Sequence, residues 1–280
     1  MRKVLLATTA LVAVAGVTAA NANDISISGN YEWEYRTNDA GTQFADDGHI
    51  NIVATNDSGN NMVWTAMSKL TNSSDDGAQV NAESAYIQVE GNFGRIVFGD
   101  MADSAASSMD GALGRNNDIE TNGGLGDADT AIGAAGTDIA WFSKPMAGFQ
   151  VGVAKDLTDA DNDATDGNMD FAITYSMEGA SVYYGQADDD RSFGVRGSVA
   201  GFTIAVGNSS TSGTQNKAND FAVRYTLPNG ITLAALTANG TDAAGNKDRY
   251  NNVGLSYVLV PGVTAKAESG KLNDANYTWV

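Results

Sequence analysis

The stretch Tyr86–Asp100, YIQVEGNFGRIVFGD, holds two short alternating runs on either side of Gly91-Asn92-Phe93-Gly94. Alternation of apolar and polar residues marks a strand with two unlike faces, and a Gly-flanked break of this length marks a hairpin. The second run leads straight into residues 101–137, which are rich in Gly, Ala, Asp and Asn and carry no periodicity. A structureless connection of that length inside a compact domain is uncommon and is usually functional or disordered. The fold must therefore explain a tidy hairpin that feeds a very long loop.

Working outward, the same period-two pattern recurs along the chain. Ile25, Ile27, Tyr31, Trp33 and Tyr35 share one face of a run whose other face carries Ser26, Ser28, Asn30, Glu32, Glu34 and Arg36. Phe171, Ile173 and Tyr175 oppose Asp170, Ala172 and Thr174, and Phe221, Val223 and Tyr225 oppose Asp220 and Arg224. The connections alternate in length. Short turns at 91–94, 144–148, 177–180, 199–202, 227–230 and 259–262 are interleaved with longer polar stretches at 37–48, 72–79, 101–137, 157–167, 208–219 and 239–247. An up-and-down barrel puts the tight turns at one rim and the long loops at the other, as in outer-membrane barrels. The expected fold is all-β: a transmembrane antiparallel up-and-down β-barrel of about 16 strands, the last of them incomplete at Val280. Tyr31, Trp33, Tyr35, Phe98, Phe149, Tyr175, Phe202, Tyr225 and Tyr257 fall on outward faces near strand ends, where amphipathic rings suit the lipid headgroup level. The phase of Tyr183–Gln186 is ambiguous.

The N-terminus reads as an export leader. Arg2 and Lys3 precede an apolar core from Val4 to Val17, and Ala20-Asn21-Ala22 supplies small residues for cleavage, so the expected division is a signal peptide at 1–22 and a barrel at 23–280. The chain has no Cys and a formal net charge of −18. Such a charge argues against nucleic acid as a partner. It suits a surface that meets divalent cations or excludes anions, and it equally serves solubility in a salty medium.

The stretch YIQVEGNFGRIVFGD resembles the segment of Gram-negative general porins in which a short periplasmic turn of Gly-x-Phe-Gly form is followed by a strand climbing to Gly-Asp, here Gly99-Asp100. The α-proteobacterial kind is the most similar, and leader, strands and loop order agree over almost the full length. The resemblance implies a homotrimer of sixteen-stranded barrels in the outer membrane, in contact with its lipid and lipopolysaccharide, each barrel a water-filled passive diffusion channel for ions and small hydrophilic solutes. It implies that 101–137 folds into the bore as a constriction loop. Asp100, Asp103, Asp110, Asp118, Glu120, Asp127 and Asp129 would then present carboxylates to the lumen. Lys69, Arg95, Arg196, Arg224 and Lys266 point inward by phase and would face them from the wall. Rings of charge of this kind select ions, and the acidic loops favour a mild cation preference. Members of the family usually finish a full strand on a terminal Phe, whereas this chain ends NYTWV.

Other chemistry finds little support. Asp159, Asp161 and Asp163 alternate in an acidic loop and form a candidate weak divalent site for loosely bound Ca²⁺, but no Glu closes an EF-hand spacing there. With one His and no Cys, His-based triads, thiol nucleophiles and His-rich zinc sites lack parts. The expectation is a protein that is not an enzyme and has no resident cofactor. The rival reading is a secreted or surface all-β adhesin or binding protein without transport, which would need an apolar interior and a polar exterior.

Overall fold

The computed structural model describes residues 8–14, 23–38, 41–58, 60–73, 79–101, 105–106, 108–109, 137–157, 169–187, 190–210, 217–241, 246–273 and 275–280. It is one antiparallel sheet closed on itself. The strands are β1 (Thr8–Val14), β2 (Asn23–Asn38), β3 (Gly41–Asp57), β4 (Val63–Ser73), β5 (Gln79–Gly91), β6 (Gly94–Met101), β7 (Thr137–Phe142), β8 (Phe149–Lys155) and β9 (Met169–Met177). They continue as β10 (Ala180–Ala187), β11 (Asp190–Val199), β12 (Phe202–Ser210), β13 (Lys217–Thr226), β14 (Thr232–Thr241), β15 (Lys247–Val260), β16 (Val263–Leu272) and β17 (Ala275–Trp279).

From β2 to β17 every strand pairs with its sequence neighbour. The ring closes where β17 meets β2, with Tyr277 opposite Asn38 and Trp279 opposite Arg36. The backbones of Tyr35 and Val280 then exchange hydrogen bonds of 3.0 and 3.2 Å. Further along the same seam β1 lies between β16 and β2, pairing Thr9 with Tyr31 and Val14 with Ser26 and Thr8 with Thr264. This strand falls within the expected leader. Closure matters because an unpaired strand edge in hydrocarbon costs several kcal/mol per unsatisfied group by rough estimate.

The quoted stretch forms the hairpin β5–β6, with Gly91 opposite Gly94 and Ile87 opposite Phe98. Gly94 takes a φ of 101°, a conformation that favours glycine. Phe93 packs its ring on Gly91, and its carbonyl accepts the Trp141 indole N–H at 3.0 Å. At the other tight turns, Ala147-Gly148 and Ala200-Gly201 hold both residues at positive φ. That is the handedness a two-residue hairpin needs.

The barrel is inside out by the standard of a soluble protein. Ile25, Ile50, Ile87, Phe171, Ile204, Phe221 and Leu255 are exposed, while Asp170, Ser192, Asp220 and Glu268 are buried. This arrangement is the reverse of what the adhesin reading requires. The ambiguous phase near Tyr183 resolves: Tyr183 is buried on the inner face, and Tyr184 lies outside against Phe171, with ring centroids 5.9 Å apart.

The connection expected at 37–48 is corrected by the structure. Strands β2 and β3 run on as a paired ribbon to Asn38 and Gly41, and the hydroxyls of Thr37 and Thr42 meet at 3.5 Å. Polar composition suggested a loop, yet a ladder that rises past the bilayer has no lipid to face and needs no apolar side. Strands β10 and β11 are likewise paired up to Ala187 and Asp190, so the loop-side connections are not uniformly long.

Candidate functional site

Side chains alternate across the sheet, so each strand sends every second residue into the bore. The long connection after β6 is the feature that makes the bore unusual. Its described residues Ala105, Ala106, Ser108 and Met109 are helical. Ala105 and Ala106 are wholly buried and Met109 nearly so, packed with Val97, Ala140, Phe142, Ala154, Ala172 and Tyr183. These partners belong to the inner faces of β6 to β10. Ala105, Ala106 and Met109 therefore lie on the inside of the wall.

Two hydrogen bonds hold it there. The Ala106 N–H donates to Asp170 Oδ1 at 2.8 Å, and the Tyr183 hydroxyl donates to the Ala106 carbonyl at 2.8 Å. A hydrogen bond to a charged acceptor contributes about 1.5–3 kcal/mol and a neutral one about 1 kcal/mol. The wall is shaped to receive the segment. A Cβ on Gly152 would meet Met109 Sδ at 2.6 Å, and one on Gly185 would meet the Ala106 Cβ at 3.1 Å. Small inner residues on β8, β9 and β10 leave the room that the helical residues occupy.

Ala106 is level with the loop-side ends of β9 and β10, and Met109, against Gly152, stands lower on the wall. There Ser108 and Met109 line a cleft of about 280 Å³ with Glu90, Arg95, Phe142 and Lys144. The Arg95 guanidinium sits over the Phe142 ring, 4.3 Å from its centroid. This cation–π contact steadies Arg95 beside Ser108 and Met109.

The five cations expected on the wall are all on the inner face. Lys69 is in β4, Arg95 in β6, Arg196 in β11, Arg224 in β13 and Lys266 in β16, each half-buried. Their distribution is uneven. Arg95 follows the first residue of β6, Arg196 and Arg224 lie near the ends of β11 and β13, and Lys266 lies near the start of β16. All four are thus close to tight turns, and only Lys69 stands further up the wall. The Lys266 ammonium is within 3.0 Å of Glu32 Oε1, reaching from β16 across the seam to β2. It straps the barrel closed as well as facing the bore.

Several expected residues lie outside the described residues: Asp103, Asp110, Asp118, Glu120, Asp127 and Asp129 in the loop, and Asp159, Asp161 and Asp163 of the candidate divalent site. The backbone of Asp100 is in β6 opposite Ala85. Among the described residues no cluster of His, Asp and Glu could hold a metal ion.

Sequence reading missed the anchors, Asp170 and Tyr183, and the glycine seats, Gly152 and Gly185. Asp170 counted only as one polar-face residue among many, and Tyr183 sat in the stretch of ambiguous phase. The available signal was a large aromatic at an inward position among small residues.

The whole chain can be compared with known proteins. A family model described as Gram-negative porin matches residues 7–278. No curated protein matches the sequence. Among solved structures, a multiple mutant of the Rh. blastica porin is similar at a TM-score of 0.75 and 15% identity, covering 91% of this chain and 97% of that one. A loop-deletion mutant of OmpT, an outer membrane protein of Vibrio cholerae, gives a TM-score of 0.71 at 13% identity, with 92% and 98% covered. An anion-selective porin from Comamonas acidovorans gives 0.69 at 13%, with 92% and 97% covered.

Proposed function

Because the chain belongs to the Gram-negative porin family, we propose that this barrel is a water-filled pore, narrowed by residues 101–137, that passes ions and small hydrophilic solutes with a mild preference for cations. The coarser part needs no proposal: a porin is a diffusion channel of the Gram-negative outer membrane and carries out no chemistry. The finer part is supported chiefly by one observation, the seating of Ala105, Ala106 and Met109 inside the wall by Asp170 and Tyr183. A loop that begins by entering the bore is well placed to set its width.

Fold does not decide selectivity, since an anion-selective porin from Comamonas acidovorans shares this architecture. Selectivity must come from the charges that face the bore. In this reading Asp118, Glu120, Asp127 and Asp129 supply carboxylates to the constriction, against Arg95, Arg196 and Arg224 on the wall. Residues 1–22 serve as an export leader and are removed, which N-terminal sequencing of protein from outer membranes checks: mature protein should begin at Asn23. The assembly is a homotrimer of the α-proteobacterial kind, to be checked on unheated detergent gels.

Single-channel recording in a planar bilayer tests the whole reading. Deleting Gly111 to Gly133 should leave a folded barrel of higher conductance. Neutralising Asp118, Glu120, Asp127 and Asp129 together should lower the cation-to-anion permeability ratio measured from reversal potentials in a KCl gradient. The shift should be largest near 0.01 M salt, where the Debye length is about 30 Å. Unchanged conductance in the deletion and an unchanged reversal potential in the neutralised variant would place the loop outside the pore.

A further inference from the structure

The cleft lined by Ser108 and Met109 carries charges that neither the strand ladder nor the loop anchors use. Register places Asp57, Val63, Glu90, Arg95 and Phe142 in one row across β3 to β7, each the partner of the next. Partners in a row share a face of the sheet. Arg95 and Phe142 are on the inner face, so the whole row lines the bore, where these strands meet their tight turns.

The row reads acid, apolar, acid, base, aromatic. Side chains directly opposite each other stand about 5 Å apart, so Glu90 and Arg95 are near enough to pair. They do not: among the described residues Glu90, Arg95 and Lys144 make no ion pair. The Arg95 guanidinium instead lies over the Phe142 ring. Stacking uses the flat face of a guanidinium and leaves its in-plane N–H donors for a carboxylate.

Two cavities of about 280 Å³ each open on this row, and Glu90 and Lys144 line both. Arg95 and Phe142 line the first, and Asp57 and Asn61 the second. Arg95 thus stands on one side of Glu90, and Asp57 stands on the other, two strand spacings or about 10 Å away. Lys144 comes from the turn between β7 and β8, and that turn is tied down. The Ser143 N–H donates to the Val151 carbonyl at 2.8 Å, and the Val151 N–H donates to Ser143 Oγ at 2.9 Å. Gln150 Nε2 donates to the Ser143 carbonyl at 3.1 Å.

These charges select their occupant. A simple anion would meet Glu90, and a simple cation would meet Arg95 and Lys144. A solute that carries both charges on neighbouring atoms satisfies both, because its opposite ends match adjacent members of the row. Met109, Phe142 and Pro145 offer the same solute an apolar surface. Sites for drug-sized ligands run to about 300–1,000 Å³, so a cavity below that range suits a single small molecule better than a peptide. We propose that this cleft seats a free α-amino acid with an apolar side chain, its carboxylate on Arg95 and Lys144 and its ammonium on Glu90. This rests on the pore reading above and names one class of solute for it.

Ligand-observed NMR on the full-length protein in detergent micelles, corrected for binding to empty micelles, tests the site. The probes are L-leucine, 4-methylpentanoate, which lacks the ammonium, and 3-methylbutylamine, which lacks the carboxylate. L-leucine should bind about tenfold more tightly than either, the low end for a hydrogen bond to a charged group. Glu90→Gln should bring L-leucine down to the affinity of 4-methylpentanoate without weakening 4-methylpentanoate itself. Arg95→Gln should weaken L-leucine and 4-methylpentanoate alike without weakening 3-methylbutylamine. Each variant therefore keeps one probe that reports an intact cleft. L-leucine binding no tighter than that of the other two probes, equal losses of L-leucine and 4-methylpentanoate in Glu90→Gln, or full L-leucine affinity in Arg95→Gln would each overturn the site. Ion conductance in a planar bilayer separates the two readings. A barrel that conducts ions but does not bind L-leucine removes the site and leaves the pore standing; one that binds L-leucine but passes no current keeps the site and removes the pore.

Discussion

The inner wall across β7 to β10 and the inner wall across β13 to β17 solve the same packing problem in opposite ways. The first is lined by Ala140, Ala154, Ala172, Gly152 and Gly185, and what fills the space above them is chain from elsewhere, Ala105, Ala106 and Met109. The second fills itself. Tyr250 and Tyr277 stack with centroids 5.9 Å apart and planes 3° apart. Both hydroxyls donate to Glu268 Oε1, at 3.1 and 2.8 Å, and Asn252 donates to the Tyr250 oxygen at 2.8 Å. A wall of small residues is a receptor, and its mutations should change where the loop sits. A wall of large, mutually bonded residues is structure, and its mutations should change how well the barrel holds.

The largest expected effect breaks the receptor wall. Asp170→Ala with Tyr183→Phe removes both hydrogen bonds to Ala106, a loss of roughly 2.5–4 kcal/mol of docking free energy if the two contributions add. Protease should then cut within 101–137, and open-channel current should become noisy, while the thermal midpoint of the barrel barely moves. A loop that stays resistant in the double variant would mean that apolar burial alone holds it.

The second wall offers a sharper probe of inside against outside, because Val223 and Arg224 are consecutive. Val223 lies opposite Ile204 on the lipid side, and Arg224 lies opposite Thr203 on the bore side. Val223 is two residues from Tyr225 at the tight-turn interface, so Val223→Arg should impair assembly by roughly 2 kcal/mol, between the costs at the interface and at the midplane. Arg224→Ala should fold normally and alter only permeation. Equal yields of heat-modifiable barrel from the two variants would invert the assigned faces.

Next comes Glu268→Ala. It leaves two buried tyrosine hydroxyls without their acceptor, at a cost of about 2 kcal/mol. Chemical denaturation of the folded barrel should show that loss, and Glu268→Gln should recover most of it by keeping an acceptor oxygen. The loop should remain resistant to protease in both, since Asp170 and Tyr183, which bond Ala106, stand on the other wall.

The two walls also differ in how far sequence alone reveals them. Alternation made the strands legible, and with them the inward phase of Lys69, Arg95, Arg196, Arg224 and Lys266, because one side chain in two must meet lipid. Family resemblance, not periodicity, supplied the expectation that residues 101–137 enter the bore. Neither supplied the loop's anchors. Whether Asp170 faces a loop backbone or open water depends on which strands stand side by side and on the residue count between β6 and β7, and no local pattern records that. The ribbon at 37–48 was misread for a related reason: strand composition is dictated by lipid only where lipid is present.

The smallest expected effect is the most specific to the receptor wall. Gly152→Ala adds one methyl group where the nearest atom is Met109 Sδ, with the Phe142 ring next at 3.0 Å. A thioether at the end of an unbranched chain can shift, so the cost should fall at the low end for overpacking, about 1 kcal/mol. That cost should fall on the docked residues more than on the strand ladder, because the three atoms nearest the added Cβ belong to the Met109 thioether and the Phe142 ring. Loop cleavage by protease should accelerate about fivefold, the equilibrium equivalent of about 1 kcal/mol, with the denaturation midpoint unchanged. Met109→Ala alone should also loosen the loop, by loss of packing. The two together should loosen it by less than the sum of their separate effects, since removing the thioether relieves the clash that the methyl group creates. Strict additivity would show that Met109 does not sit on Gly152, and the comparison between the two walls would lose its contact at that point.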